Sequence, residues 1–173
     1  DICERLPMSF CVSLDGITRE TYESVRIGAD FTTVMSNIEE FRSVSNSNGG
    51  SVSIAHCLMT ENWREFLELL TFAEEREMSV GVNLVLDPRH LSLYQLPVDG
   101  LQEVVEALLA QDGDARRRLK RLLPVWDGQV QALAHRLETM RHDGGTPVNP
   151  SSPWRRDPDR TADLTRDTDL IAE

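Results

Sequence analysis

Ser13 and Asp15 share one side of the segment "SFCVSLDG", and Gly16 closes it. Phe10, Val12 and Leu14 alternate there with Cys11, Ser13 and Asp15, the period-two pattern of a strand. A hydroxyl and a carboxylate at the carboxyl end of a strand can hydrogen-bond a polar ligand. In parallel α/β sheets and barrels, ligands sit outside those ends. The same Asp-Gly pair also serves as an ordinary turn, so the pattern alone leaves both readings open. Asn83, in "SVGVNLVL", is placed to point into a hollow beside the strands and touch substrate or cofactor. Cys57 is read by default as a small buried residue. His56 lies in an apolar strand and His90 in a loop, neither with a partner at metal-ligand spacing.

These side chains need strands to hold them, and the chain offers three. "SVSIAHCLM", 51–59, sets Val52, Ile54 and Leu58 against Ser53, Ala55 and Cys57. "SVGVNLVL", 79–86, sets Val80, Val82 and Leu84 against Gly81, Asn83 and Val85. Between the strands lie helical stretches. Thr18 caps "TRETYESVR", with Glu20 in its favourable first turn. "DFTTVMSNIEEFRSV" carries Phe31, Val34, Ile38 and Phe41 at helical spacing, and "SNSNGG" is predicted to end it. Asn62 and Glu65 form a capping box for "WREFLELLTFAEER". Strand and helix alternating in this way predict parallel strands joined by right-handed crossovers.

One face of each strand is branched and apolar, while the other is small or polar. A parallel strand covered by helices on both faces would read as continuous Val, Ile and Leu. A curved sheet reconciles the two, with helices on its convex side and a ligand or packed lumen on its concave side. Beyond the loop "DPRHLSLYQLPVDG" come helices over 99–111 and 114–142, the second kinked or divided at Pro124. The basic run "RRRLKR", 116–121, is read as a solvated helix face pairing with a neighbouring acidic surface. From Gly144 onward, prolines and mixed charge replace periodicity, which predicts a disordered tail over 144–173.

The bulk numbers narrow the class. The chain has 173 residues, 40% hydrophobic and 27% charged, with 29 acidic against 18 basic residues and a net charge of −11. That excess of negative charge argues against duplex nucleic acid and anionic membrane as partners. No apolar run is long enough to span a bilayer. Three scattered cysteines, Cys3, Cys11 and Cys57, make no disulfide framework and suggest reduced thiols in the cytoplasm.

The ordered motifs carry a family resemblance. "VSLDGITRETYESVRIGADFTTVMSNIEEF" resembles the fourth strand and following helix of radical S-adenosylmethionine enzymes. "SIAHCLMTENWREFLELLTFAEEREMSVGVNLVLDP" resembles their fifth strand with its Thr-x-Asn exit, the next helix and the sixth strand. The likeness covers about residues 9–88. It implies an α/β fold that is part of a (β/α)6 TIM-like barrel. On that reading 1–96 form the C-terminal half of the barrel, 97–143 a helical extension and 144–173 the tail. It further implies a [4Fe–4S] cluster and S-adenosylmethionine, which together generate a 5′-deoxyadenosyl radical that abstracts hydrogen from a small-molecule or peptide substrate.

By the same resemblance Ser13 matches the serine that hydrogen-bonds the cofactor. Arg26 matches the basic residue that meets its carboxylate or ribose, and Leu86 an apolar position near the adenine. A guanidinium suits a carboxylate by two-point geometry, although a cation at a helix end also favours the last carbonyls. Asp15 and Asn83 complete the expected cofactor-facing set. The family's Cys-x3-Cys-x2-Cys loop and Gly-Gly-Glu motif are absent from the sequence, and the chain opens on "DICERLP" without a methionine. The resemblance therefore implies a fragment whose cluster ligands and N-terminal half-barrel lie upstream, inactive alone. Two other readings stand beside it. One is a non-catalytic, degenerate barrel that binds a nucleotide-like ligand or a partner protein. The other is a phosphate-binding barrel fragment, disfavoured because "SNSNGG" precedes a strand rather than a helix.

Overall fold

A computed structural model describes residues 7–142. The tail predicted to be disordered, 144–173, and Cys3 lie outside the described residues. Three strands form one sheet: β1 (Phe10–Ser13), β2 (Val52–Leu58) and β3 (Ser79–Leu84). The sheet order is β1-β2-β3, and both pairings are parallel. The helices are α1 (Arg19–Val25), α2 (Phe31–Asn48), α3 (Phe66–Glu75), α4 (Val98–Ala110), α5 (Asp112–Arg118) and α6 (Leu123–His142). The architecture is thus mixed α/β with a three-stranded parallel sheet, as the alternation of strand and helix patterns predicts.

Burial follows the period of two. On one face of β2, Val52, Ile54, His56 and Leu58 are all buried, covered by α2 and, at His56, by Phe66 of α3. Phe10 of β1 stacks on Phe41 of α2 at 4.5 Å. On the opposite face the register brings small residues into rows. Cys11, Ser53 and Ser79 are neighbours, then Ser13, Ala55 and Gly81, then Cys57 and Asn83. Cys11, Ser13, Ser79, Gly81 and Asn83 of this face are exposed, and Ser53, Ala55 and Cys57 half-buried. Along β3 the branched set does not stay inside throughout: Val80 is buried and Val82 half-buried, but Leu84 is 53% exposed. β3 flanks the sheet, and its last residue extends past the helical cover.

α3 is buried along most of its length, from Phe66 to Ala73 apart from Glu68, because it is covered on more than one side. Phe66 stacks with His56 of the sheet at 5.9 Å and with Trp126 of α6 at 5.7 Å. Arg118 of α5 pairs with both carboxylate oxygens of Glu68 at 2.6 Å. Glu74 accepts the backbone N–H groups of Arg121 and Leu122 at 3.0 and 2.8 Å, capping the start of α6. The basic run meets an acidic neighbour, as its composition suggests. One hydrophobic core therefore runs from the sheet through α3 to α4–α6.

Two boundaries and one cap differ from the sequence-based expectation. α2 continues through Ser45–Asn48 and stops at Gly49, in the left-handed conformation at φ 77°. Ser45 is tolerated in the helix because its buried hydroxyl donates toward the carbonyls of Met8, at 3.0 Å, and Ser51. The 114–142 stretch divides at Leu119–Leu122, ahead of Pro124, which becomes the second residue of α6. There its missing N–H costs nothing, since first-turn donors have no intrahelical acceptor. Asn62 makes no side-chain cap to the helix that follows it.

Candidate functional site

The candidate residues gather at the carboxyl end of the sheet. β1 and β2 pair up to Ser13 and Ala55, and the backbone N–H of Leu14 still donates to Ala55 at 3.0 Å. Beyond that point a side chain takes over. Asp15 is 3% exposed, and its Oδ1 accepts the N–H of Cys57 at 2.7 Å. Its Oδ2 pairs with Nη2 of Arg26 at 2.7 Å. Gly16 follows because an added Cβ would sit 2.5 Å from the Tyr22 nitrogen, so only glycine lets α1 pack this close.

α1 is fixed to this rim by an acid from elsewhere in the chain. Thr18 caps its own helix, accepting from the N–H of Thr21. Glu65, in a 3₁₀ turn at Trp63–Glu65, accepts from the N–H of Ile17 at 2.8 Å, that of Thr18 at 3.3 Å, and both threonine hydroxyls at 2.6 Å. Burial pushes the Glu65 carboxyl up, but these donors outweigh it and hold it below the usual carboxylate range. So anchored, α1 ends on Arg26, whose side chain turns back to Asp15.

Cys57 stands beside Asp15, Asn83 and Arg26, and its thiol is pushed up by burial and by the Asp15 charge. Directly beneath, His56 faces the helices. Its Nδ1 lies 2.8 Å from the carbonyl of Leu14, which fixes the proton on Nδ1, and Nε2 is buried without a partner among the described residues. Burial holds this imidazole below its ordinary range, more than the Leu14 bond and the Asp15 charge raise it. It is a core histidine. His90 is exposed in the loop after β3.

The structure thus brings Asp15 and Arg26 into contact at the end of β1, with Asn83 beside Cys57 at the ends of β2 and β3. Ser13 lies one row below on the open face. Leu86, just beyond β3, is 47% exposed, so it presents apolar surface at the same end. Asp15 has both oxygens engaged within the chain, and so holds Arg26 rather than facing outward. The sequence reading did not single out Asn62 for the site. Its amide binds the carbonyls of Asp15 and Cys57, and the one signal in the sequence was its place in the Thr-x-Asn exit of the second strand.

The open face is floored by small side chains. The Nε of Arg26 is buried and without a hydrogen-bond partner among the described residues. An iron–sulfur cluster does not fit here: among the described residues no three His, Cys, Asp or Glu side chains converge as metal ligands. No helix among them is long and apolar enough to cross a membrane. Comparison of the chain with protein-family models, with curated proteins and with solved structures finds no match.

Proposed function

We propose that the chain belongs to a radical S-adenosylmethionine enzyme, with β1–β3 as the fourth to sixth strands of a partial (β/α)6 barrel. The observation that carries this reading is the uncovered, small-residue face of the sheet, which ends on Ser13, the Asp15–Arg26 pair and Asn83. Ser13 donates to the cofactor from the sheet surface. Arg26, oriented by Asp15, receives its carboxylate in the manner of a guanidinium fork. Asn83 offers an amide from the neighbouring strand, and Leu86 covers the adenine. When bound beside a [4Fe–4S] cluster, S-adenosylmethionine supplies the radical chemistry that removes a hydrogen atom from substrate. The cysteines for that cluster belong to a part of the protein outside residues 7–142, and the reduced thiols of Cys11 and Cys57 suit a cytoplasmic setting.

The test is to express the whole reading frame that carries this chain and reconstitute it anaerobically with iron and sulfide. Dithionite and S-adenosylmethionine are added, and 5′-deoxyadenosine is quantified. Release of that product supports the proposal, and Ser13→Ala or Arg26→Ala should lower it. A reading frame without a three-cysteine loop, or a protein that neither binds nor cleaves S-adenosylmethionine, overturns it. Because no three-ligand group lies among the described residues, a binding module is the second reading. Binding without cleavage in the reconstituted full-length protein would select it.

A further inference from the structure

Asn62 is 1% exposed, and its side chain makes three hydrogen bonds at the carboxyl end of the sheet. Oδ1 accepts the N–H of Met59 at 2.9 Å. Nδ2 donates to the carbonyl of Cys57 and to the carbonyl of Asp15, each at 2.8 Å. The β1–β2 register ends at Ser13 and Ala55, so Asp15 lies past the reach of the strand pairing. Two side-chain links replace it: the Asp15 carboxylate on the Cys57 N–H, and the Asn62 amide across both carbonyls. With the backbone and one carboxylate oxygen of Asp15 held, its other oxygen is aimed at Nη2 of Arg26. A primary amide is suited to this place because it combines two donors and an acceptor in one plane. Aspartate would offer no donor, and serine could satisfy only one of the two carbonyls.

We infer that Asn62 is a positioning residue: by clamping the exits of β1 and β2 together it sets Asp15, and through Asp15 the Arg26 guanidinium that meets the ligand. The inference rests on the reading of Arg26 as the ligand's anchor. Asn62 itself touches no ligand, so its removal acts on affinity only through the Asp15–Arg26 pair.

The experiment uses the protein of the whole reading frame that carries this chain, reconstituted with iron and sulfide, and S-adenosylmethionine as the probe, with affinity measured by calorimetry. The Arg26 Nε–Hε resonance is followed by NMR without ligand. Asn62→Asp retains the size of the side chain and the acceptor for Met59 but loses both donations. Asp15→Asn retains an acceptor for Cys57 but removes the charge opposite Arg26. Each should weaken binding about tenfold, the order found when an outer partner of a ligand-binding group is removed. The double variant should bind no more weakly than either single one, because both act through the same pair. Ser45→Ala, which removes a buried hydrogen bond at the opposite end of the sheet, should lower stability and leave affinity unchanged. If Asn62→Asp binds like the wild type, or the two losses simply add, the positioning role is wrong. If the wild type does not bind S-adenosylmethionine, the functional reading fails instead. The Arg26 resonance then decides alone: shifted by Asn62→Asp it upholds the relay, unmoved it refutes it.

Discussion

Replacing Glu65 by alanine tests whether one carboxylate holds α1, and with it Arg26, against the sheet. Glu65 accepts four hydrogen bonds, two from backbone N–H groups and two from threonine hydroxyls. The two from Thr18 are exposed, so water replaces them at little cost. Those from the Ile17 N–H and the Thr21 hydroxyl are partly buried. Hydrogen bonds to a charged acceptor are worth about 1.5–3 kcal/mol each, and the low end applies at partial exposure, giving a loss of about 3 kcal/mol for Glu65→Ala. Urea unfolding followed by far-UV circular dichroism measures it. The sign with pH follows from the carboxyl lying lower in the folded chain than its ordinary value of 4.5. Its contribution is fully present above that value and disappears as pH falls through the lowered one. Glu65→Ala should therefore flatten the acid limb of the stability curve. A loss below about 1 kcal/mol, given the range for a single hydrogen bond, together with an unchanged acid limb would show that water substitutes for all four bonds.

Three further outcomes are expected. His56 titrates below its ordinary value of 6.5 in the folded chain, so stability should begin to fall as pH drops below that value and level off once the folded imidazole is protonated. His56→Gln should lose this slope between neutral pH and pH 5, and a slope that persists assigns it to other groups. Gly16→Ala places a Cβ 2.5 Å from the Tyr22 nitrogen and 2.9 Å from the Thr21 carbonyl carbon, both rigid backbone. It should cost about 1–3 kcal/mol in urea unfolding, the range for forced overpacking, and a neutral result would mean that α1 shifts freely. Iodoacetamide at pH 8, read by peptide mass spectrometry, should modify exposed Cys11 about tenfold faster than half-buried Cys57, whose thiol is held up by burial and then by Asp15. The reverse order would contradict that account of the Cys57 surroundings.

How much of this was legible in the sequence depended on the range of the interactions involved. Period-two alternation identified the three strands and which side of each faces the helices, because pleat geometry is local. Thr18 was readable as a cap since its acceptor and donor lie three residues apart. Asn62 and Glu65 had the spacing of a capping box and serve other ends: Asn62 binds Asp15, 47 positions away, and Glu65 caps α1 from 44 to 48 positions away. Glu74 does the same for α6. The spacing of residues within a helix carries no trace of a glutamate supplied by a distant segment. Ser45–Asn48 read as a breaker because the carbonyls that satisfy Ser45 come from Met8 and Ser51. Asp15 lay on the expected side of β1, but the chain turns at Gly16, and the carboxylate folds inward to Cys57 and Arg26 instead of outward. The pairing of Asp15 with Arg26 is likewise a tertiary fact that neither residue type announces.

The stack of His56, Phe66 and Trp126 makes the last helix answerable for the first strands. An indole sealed at 0% exposure against Phe66 experiences whatever displaces β2, although it stands 70 positions later in the chain. Loss of α6 would bare Phe66 of α3, now 0% exposed. Strands and trailing helices should therefore melt together, with Trp126, sealed against Phe66, reporting on that melting.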